Sequence, residues 1–276
     1  MRDSTTRATP HRRFPLAVVG VVAAALVAAS AADGATPAAP STGRHSAAAA
    51  VQSLPDAIGA SPKVRQMVTV NARSWDSLYA TLKAWRRAAD GSWRLAGGPF
   101  RVVIGYGGWV IAADRVQSTG TTPAGRFSMP FAFGRLADPG ARLKYRRVDG
   151  NDWWPYEPRD PATYNVYQFH KAPRTHWRSD KAEHLNSYTK QYGYAIVVGF
   201  NLPGKIHYSP ARHQWVADDR AYKHRGGGIF LHVRGDGYTA GCVAMSRAQM
   251  RWLVQWVRPG AYPRLVMGPH DYIVNL

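Results

Sequence analysis

Residues 194–200 and 228–233 are apolar at almost every step, the pattern of strands buried on both faces. Earlier in the chain the pattern is more mixed. Residues 67–70 make a short strand, and 77–87 alternate apolar and polar positions well enough for a second. Ala89-Asp90-Gly91-Ser92 reads as a hairpin turn, because Asp-Gly tolerates positive φ, and Trp93-Arg94-Leu95 returns from it. Residues 100–105 and 109–113 are predicted to pair around Gly105-Tyr106-Gly107-Gly108. The opening is therefore a β-meander with few helix signals. Ser246-Arg247-Ala248-Gln249 is a capping-box pattern. It predicts a helix with Met250, Leu253, Val254 and Val257 on one face, ended by Pro259-Gly260 and followed by a last strand over 264–267. Residues 149–192 are loop-rich and aromatic, the character of a functional lid rather than core.

The N-terminus follows another pattern. Residues 2–13 are basic, 14–29 are apolar, and Ala29-Ser30-Ala31 places small residues around a cleavage point. That is the layout of a secretory signal over 1–31; left uncleaved, the same run would be an N-terminal membrane tether. Residues 32–63 are rich in Ala, Pro, Ser and Thr and read as a disordered spacer, which leaves 64–276 as one catalytic-sized domain. The expected location is secreted or in the cell envelope. A formal charge of +19 with a pI near 10.5 favours anionic surfaces such as a cell wall. The export signal and the absence of a recognisable binding motif argue against nucleic acid. A monomer is expected.

Against that exported background the cysteine count changes the picture. The chain has one cysteine, Cys242, so an internal disulfide is excluded. Ten positions upstream, at the end of an apolar run, is His232. An ordinary thiol is only a few per cent ionised at neutral pH, and a neighbouring imidazole that takes its proton turns it into a nucleophile. A strand, the Gly235-Asp236-Gly237 turn and a returning segment are predicted to bring the two to one edge. The amides of Gly241 and Cys242, with Ala240, are candidates for an oxyanion site, and Gly241 lets substrate approach closely. The competing reading is a small buried thiol beside a satisfied core histidine.

The segment His232-Val-Arg-Gly-Asp-Gly-Tyr-Thr239-Ala-Gly241-Cys242-Val-Ala-Met resembles the active-site signature of the YkuD-like L,D-transpeptidases. In the same order, Thr122-Pro123-Ala-Gly125-Arg-Phe127, Asp160-Pro-Ala-Thr-Tyr164-Asn165, Glu183-His184-Leu185 with 194–201, and 228–232 are similar to segments of one branch of that family. The resemblance implies a mainly β, β-sandwich-type catalytic domain with a few short helices, using no cofactor. It implies that Cys242 attacks the carbonyl joining diaminopimelate to D-Ala in a peptidoglycan stem tetrapeptide, with His232 as proton acceptor and then donor. An amine from a second stem then resolves the thioester to a 3→3 cross-link; resolution by water would make an L,D-carboxypeptidase. It also implies acylation by carbapenems, and an orienting backbone carbonyl rather than a carboxylate behind the histidine, so Asp236 is read as a turn residue.

Three positions depart from the signature. Val233 follows the histidine where Gly is usual, Thr239 stands where Ser is common and is expected to hydrogen-bond as Ser would and, with Ala240 and Gly241, to position the oxyanion or substrate, and Ala244 replaces an Arg. Arg225, Arg234 and Arg247 are candidates to replace that Arg, with Arg234 placed in the substrate cleft. Trp153, Trp154, Tyr164 and Asn165 are expected to line the same cleft. His170, His176 and His184 lack the spacing of a zinc motif, so no metal is expected. The non-enzymatic alternative is a wall-glycan-binding protein that stacks sugars on its tryptophans.

Overall fold

The structure, a computed structural model, describes residues 53–169, 177 and 179–276. The signal-like run over 1–31 lies outside them, and the expected spacer over 32–63 lies outside them except for its last eleven residues. Those residues correct the expected boundary. Helix α1 (Leu54–Ile58) begins with Pro55 in its first turn and ends on Gly59, whose φ of +68° is the left-handed conformation that glycine adopts at no steric cost. Ile58 is buried with Val64, Met67, Trp85 and Trp93. Leu54 and Ile58 stand one helical turn apart, a two-residue signal lost in the Ala/Pro/Ser average.

The strands run β1 (Gln66–Ala72), β2 (Tyr79–Arg87), β3 (Trp93–Val103), β4 (Trp109–Ile111), β5 (Thr122–Phe127), β6 (Ala132–Gly134), β7 (Tyr145–Arg147), β8 (Trp153–Pro155), β9 (Ala182–His184), β10 (Ala195–Val197), β11 (Gly204–Ser209), β12 (Gln214–Asp219), β13 (Phe230–Val233), β14 (Val243–Met245) and β15 (Arg264–Pro269), with α2 (Arg247–Trp256) and α3 (His270–Ile273). Eleven of them form one sheet in the order β4-β5-β15-β1-β2-β3-β14-β13-β10-β6-β7. The predicted meander β1-β2-β3 is present, and Arg87 pairs with Trp93 around a turn in which Gly91 has φ +86°. The predicted pairing of 100–105 with 109–113 is not: β3 is one long strand from residue 93, and β4 lies parallel to β5. Locally the two arrangements look alike, and the partner was decided by β5 arriving from farther along the chain.

The sheet folds over its own core. Val68, Val70, Leu82 and Phe127 from one half meet Ile196, Leu231, Val243 and Met245 from the other, and α2 adds Met250, Leu253 and Val254. The α2 capping box forms as the sequence indicates. Ser246 Oγ accepts from the Gln249 amide at 3.3 Å, and Gln249 Oε1 accepts from the Ser246 amide at 3.0 Å. The opposite face of β6, β10 and β13 carries Phe133, Ala195, Val197 and Phe230, which pack under Trp154, Tyr167, Leu185 and Tyr192. Apolar burial on both faces explains why these strands show no alternation in the sequence. It also corrects the reading of 149–192 as a lid: its described part carries its own aromatic core, stacked on the sheet.

Candidate active site

Cys242 and His232 reach one face of the sheet through register. β13 and β14 are parallel neighbours, with Leu231 opposite Val243 and His232 opposite Ala244. Side chains alternate along a strand, so Cys242, one step before Val243, shares a face with Phe230 and His232. The expected strand, turn and return is a looped parallel connection. Ala244 on one side and Ala195 on the other flank His232 across the sheet.

The two side chains open onto one cleft of about 190 Å³, lined also by Glu183, Tyr188, Tyr192, Thr239 and Ala240, with Asp236 and Tyr238 on its rim. His232 Nδ1 lies 2.8 Å from the Val233 carbonyl oxygen. A carbonyl only accepts, so Nδ1 carries the proton and Nε2 keeps a lone pair. Burial pushes the imidazole down to about 4, with the Val233 carbonyl working against it. The Cys242 sulfur accepts from the Phe230 amide at 3.3 Å and donates to the Gly228 carbonyl at 3.3 Å. Burial, with the Glu183 charge adding to it, pushes the thiol up to about 12, while the Phe230 amide and Arg115 act in the other direction. At rest both partners are neutral and the proton stays on sulfur. The arrangement suits a base that takes the proton as the sulfur attacks, rather than a standing ion pair.

The loop before the cysteine is held from within and from behind. Thr239 Oγ1 donates to the Cys242 carbonyl at 2.6 Å and accepts from the Gly241 amide at 3.2 Å. Thr239 thus fastens the loop, and the Gly241 amide is turned onto it and does not point into the cleft at rest. Gly241 has φ +134°, and a Cβ there would lie 2.8 Å from the Thr121 carbonyl oxygen; a Cβ on Gly105 would lie 3.0 Å from Gly241 Cα. Arg115, 5% exposed, donates to the carbonyls of Thr121 at 2.8 Å, Arg225 at 2.6 Å and Ala240 at 3.4 Å. One buried cation therefore ties three loops together behind the sulfur. Desolvation lowers its pKa, and a thiolate at Cys242 would oppose that most strongly.

A model of the L,D-transpeptidase catalytic domain, YkuD, matches residues 87–266, close to two thirds of the chain. The chain belongs to that family. It matches no curated protein and no solved structure. The match runs from Arg87, the last residue of β2, to the third residue of β15, so β1 and the rest of β2 lie outside it.

Four residues expected in the cleft are elsewhere. Trp154, Tyr164 and Asn165 are essentially inaccessible, at 1%, 0% and 1% exposure. Trp153 stacks on His184 with ring centroids 4.4 Å apart, away from the cleft. Asn165, with φ +60°, accepts from Trp154 Nε1 at 2.7 Å and from the Gly228 amide at 3.0 Å, and donates to Asn201 O at 2.5 Å. Its motif holds the aromatic lobe against the loop that leads into β13. Asn165→Ala leaves two buried donors unpaired and should cost about 2–4 kcal/mol, or about 5–15 °C in melting temperature. A thermal melt checks this, and an unchanged midpoint would remove Asn165 from that role.

Arg234 is exposed and lies by Tyr79, whose ring Arg101 covers at 4.0 Å, so it stands at the cleft's margin rather than in it. Asp236 pairs with Lys190 at 2.9 Å and does not orient His232. His184 bonds to the Gly150 carbonyl and Ser187, His170 and His176 lie outside the described residues, and no cluster of three metal-ligating side chains occurs among the described ones. Sequence reasoning missed Arg115 and Glu183. Arg115 carries no local signal, since its partners are up to 125 positions away. Glu183 lay inside a segment noted for its likeness to the family but was not selected.

Proposed function

We propose that this chain is a peptidoglycan L,D-transpeptidase working through a thioester on Cys242. The observation that carries this reading is the shared cleft, in which an unprotonated imidazole nitrogen and the only thiol of the chain open toward the same space. His232 Nε2 takes the thiol proton as sulfur attacks the donor stem's carbonyl. The C–N bond to D-Ala breaks, and the imidazolium returns the proton to the departing amine. A second stem's amine then attacks the thioester, forming the 3→3 bond and releasing sulfur. The reading places the protein outside the cytoplasm, where such stems are found, and its cationic surface suits the anionic wall around them.

Incubation with a synthetic stem tetrapeptide and a diaminopimelate-bearing acceptor tests this. One equivalent of D-Ala should be released per cross-linked product. Release of D-Ala with only the shortened acid as product would make the protein an L,D-carboxypeptidase, and no release would remove both readings.

A further inference from the structure

Two carboxylates face the cleft. Asp236, on the rim, is neutralised by Lys190. Glu183, on β9, has no cationic partner among the described residues; its Oε2 accepts one hydrogen bond, from the Tyr192 hydroxyl at 2.5 Å. The same Tyr192 ring stands edge-on to His232 with centroids 5.6 Å apart. Glu183 also acts electrostatically on the Cys242 sulfur. A half-buried carboxylate with no cation beside it has lost part of its hydration, and a cation that arrives there offsets that loss.

We propose that Glu183 is the subsite for the acceptor, binding its primary ammonium and taking the proton that must leave before nitrogen can attack. This deepens the transpeptidase reading and rests on it. The acceptor enters as R–NH3⁺ and gives one proton to the Glu183 carboxylate. The neutral nitrogen attacks the thioester carbonyl, the C–N bond forms and the C–S bond breaks. His232 takes the second proton from nitrogen and passes it to sulfur, and Glu183 releases its own proton to solvent. Burial, opposed by the Tyr192 hydroxyl, pushes the Glu183 carboxyl up to about 7, so it exchanges a proton readily near neutrality. Water carries no charge for Glu183 to pair, so the residue favours amine over water as acceptor.

The test reads the ratio of cross-linked to hydrolysed product formed from one thioester pool, which does not depend on how fast that pool fills. In Glu183→Gln, which keeps an acceptor for Tyr192, the ratio should fall at least about 10-fold with a diaminopimelate-type ammonium acceptor. It should fall much less with hydroxylamine, which is already neutral at pH 7. Glu183→Asp, which keeps the charge, should recover part of the ratio. An unchanged ratio in Glu183→Gln, or equal losses with both nucleophiles, overturns the proposal. A wild-type protein that forms no thioester with the stem peptide overturns the transpeptidase reading itself, which separates the two failures.

Discussion

Cys242→Ala should take up no acyl group at all. Wild-type protein incubated with a carbapenem should gain the mass of one adduct, and the variant none, read by intact mass spectrometry. With one cysteine in the chain, no second thiol can mask the result. An adduct that persists in the variant would end the case for a thioester at this position. The neutral resting pair gives a second expectation for the same sulfur. A thiol pushed up to about 12 is ionised to about one part in ten thousand at pH 8, whereas an ordinary cysteine is about a quarter thiolate. Iodoacetamide should therefore modify the wild-type protein on the order of 10³-fold more slowly than free cysteine. Equal rates would mean that the sulfur is not held neutral by burial.

His232→Ala should slow carbapenem acylation by roughly 10²–10⁴-fold, the usual worth of a positioned base. Stopped-flow or quenched mass measurements check it, and an unchanged rate would take His232 out of the mechanism. The pH dependence carries a sharper signature. His232 must be neutral to accept a proton, and its imidazole sits at about 4 instead of the ordinary 6.5. The wild-type rate should therefore hold through pH 6 and fall only as pH drops through about 4. Stability has its own sign. The folded imidazole is depressed relative to the unfolded one, so below 6.5 the unfolded chain binds more protons. The stabilisation is whole above 6.5 and is lost as pH falls toward 4, a difference of about 3 kcal/mol. His232→Ala should lack that acid sag in its melting curve.

Much of the scaffold was legible because its cues are local. The Asp90-Gly91 turn, the Ser246/Gln249 cap and the doubly apolar runs of β10 and β13 each declare themselves within a few residues. The proposed pair drew attention for another reason: a single cysteine close in sequence to a histidine leaves few alternatives. Pairing partners were harder. The direction of β14 against β13, and of β4 against β5, depends on strands that arrive from elsewhere, and a strand buried on both faces reads the same whatever lies beside it. Burial of Trp154, Tyr164 and Asn165 went unread because aromatic and amide residues in a proline-rich stretch resemble a binding surface until their partners are seen. Arg115 shows the limit most plainly, as a cation whose three carbonyls come from three separate loops.

The parallel pairing of β13 and β14 has a consequence for how this domain can change. Backbone ladder contacts, and not the length of the intervening bend, set the spacing between sulfur and imidazole. Segment 235–238 is then free to grow, shrink or swap residues while the sulfur and the imidazole keep their places. New preferences for what enters can be written on that outer border without rebuilding the machinery beneath it.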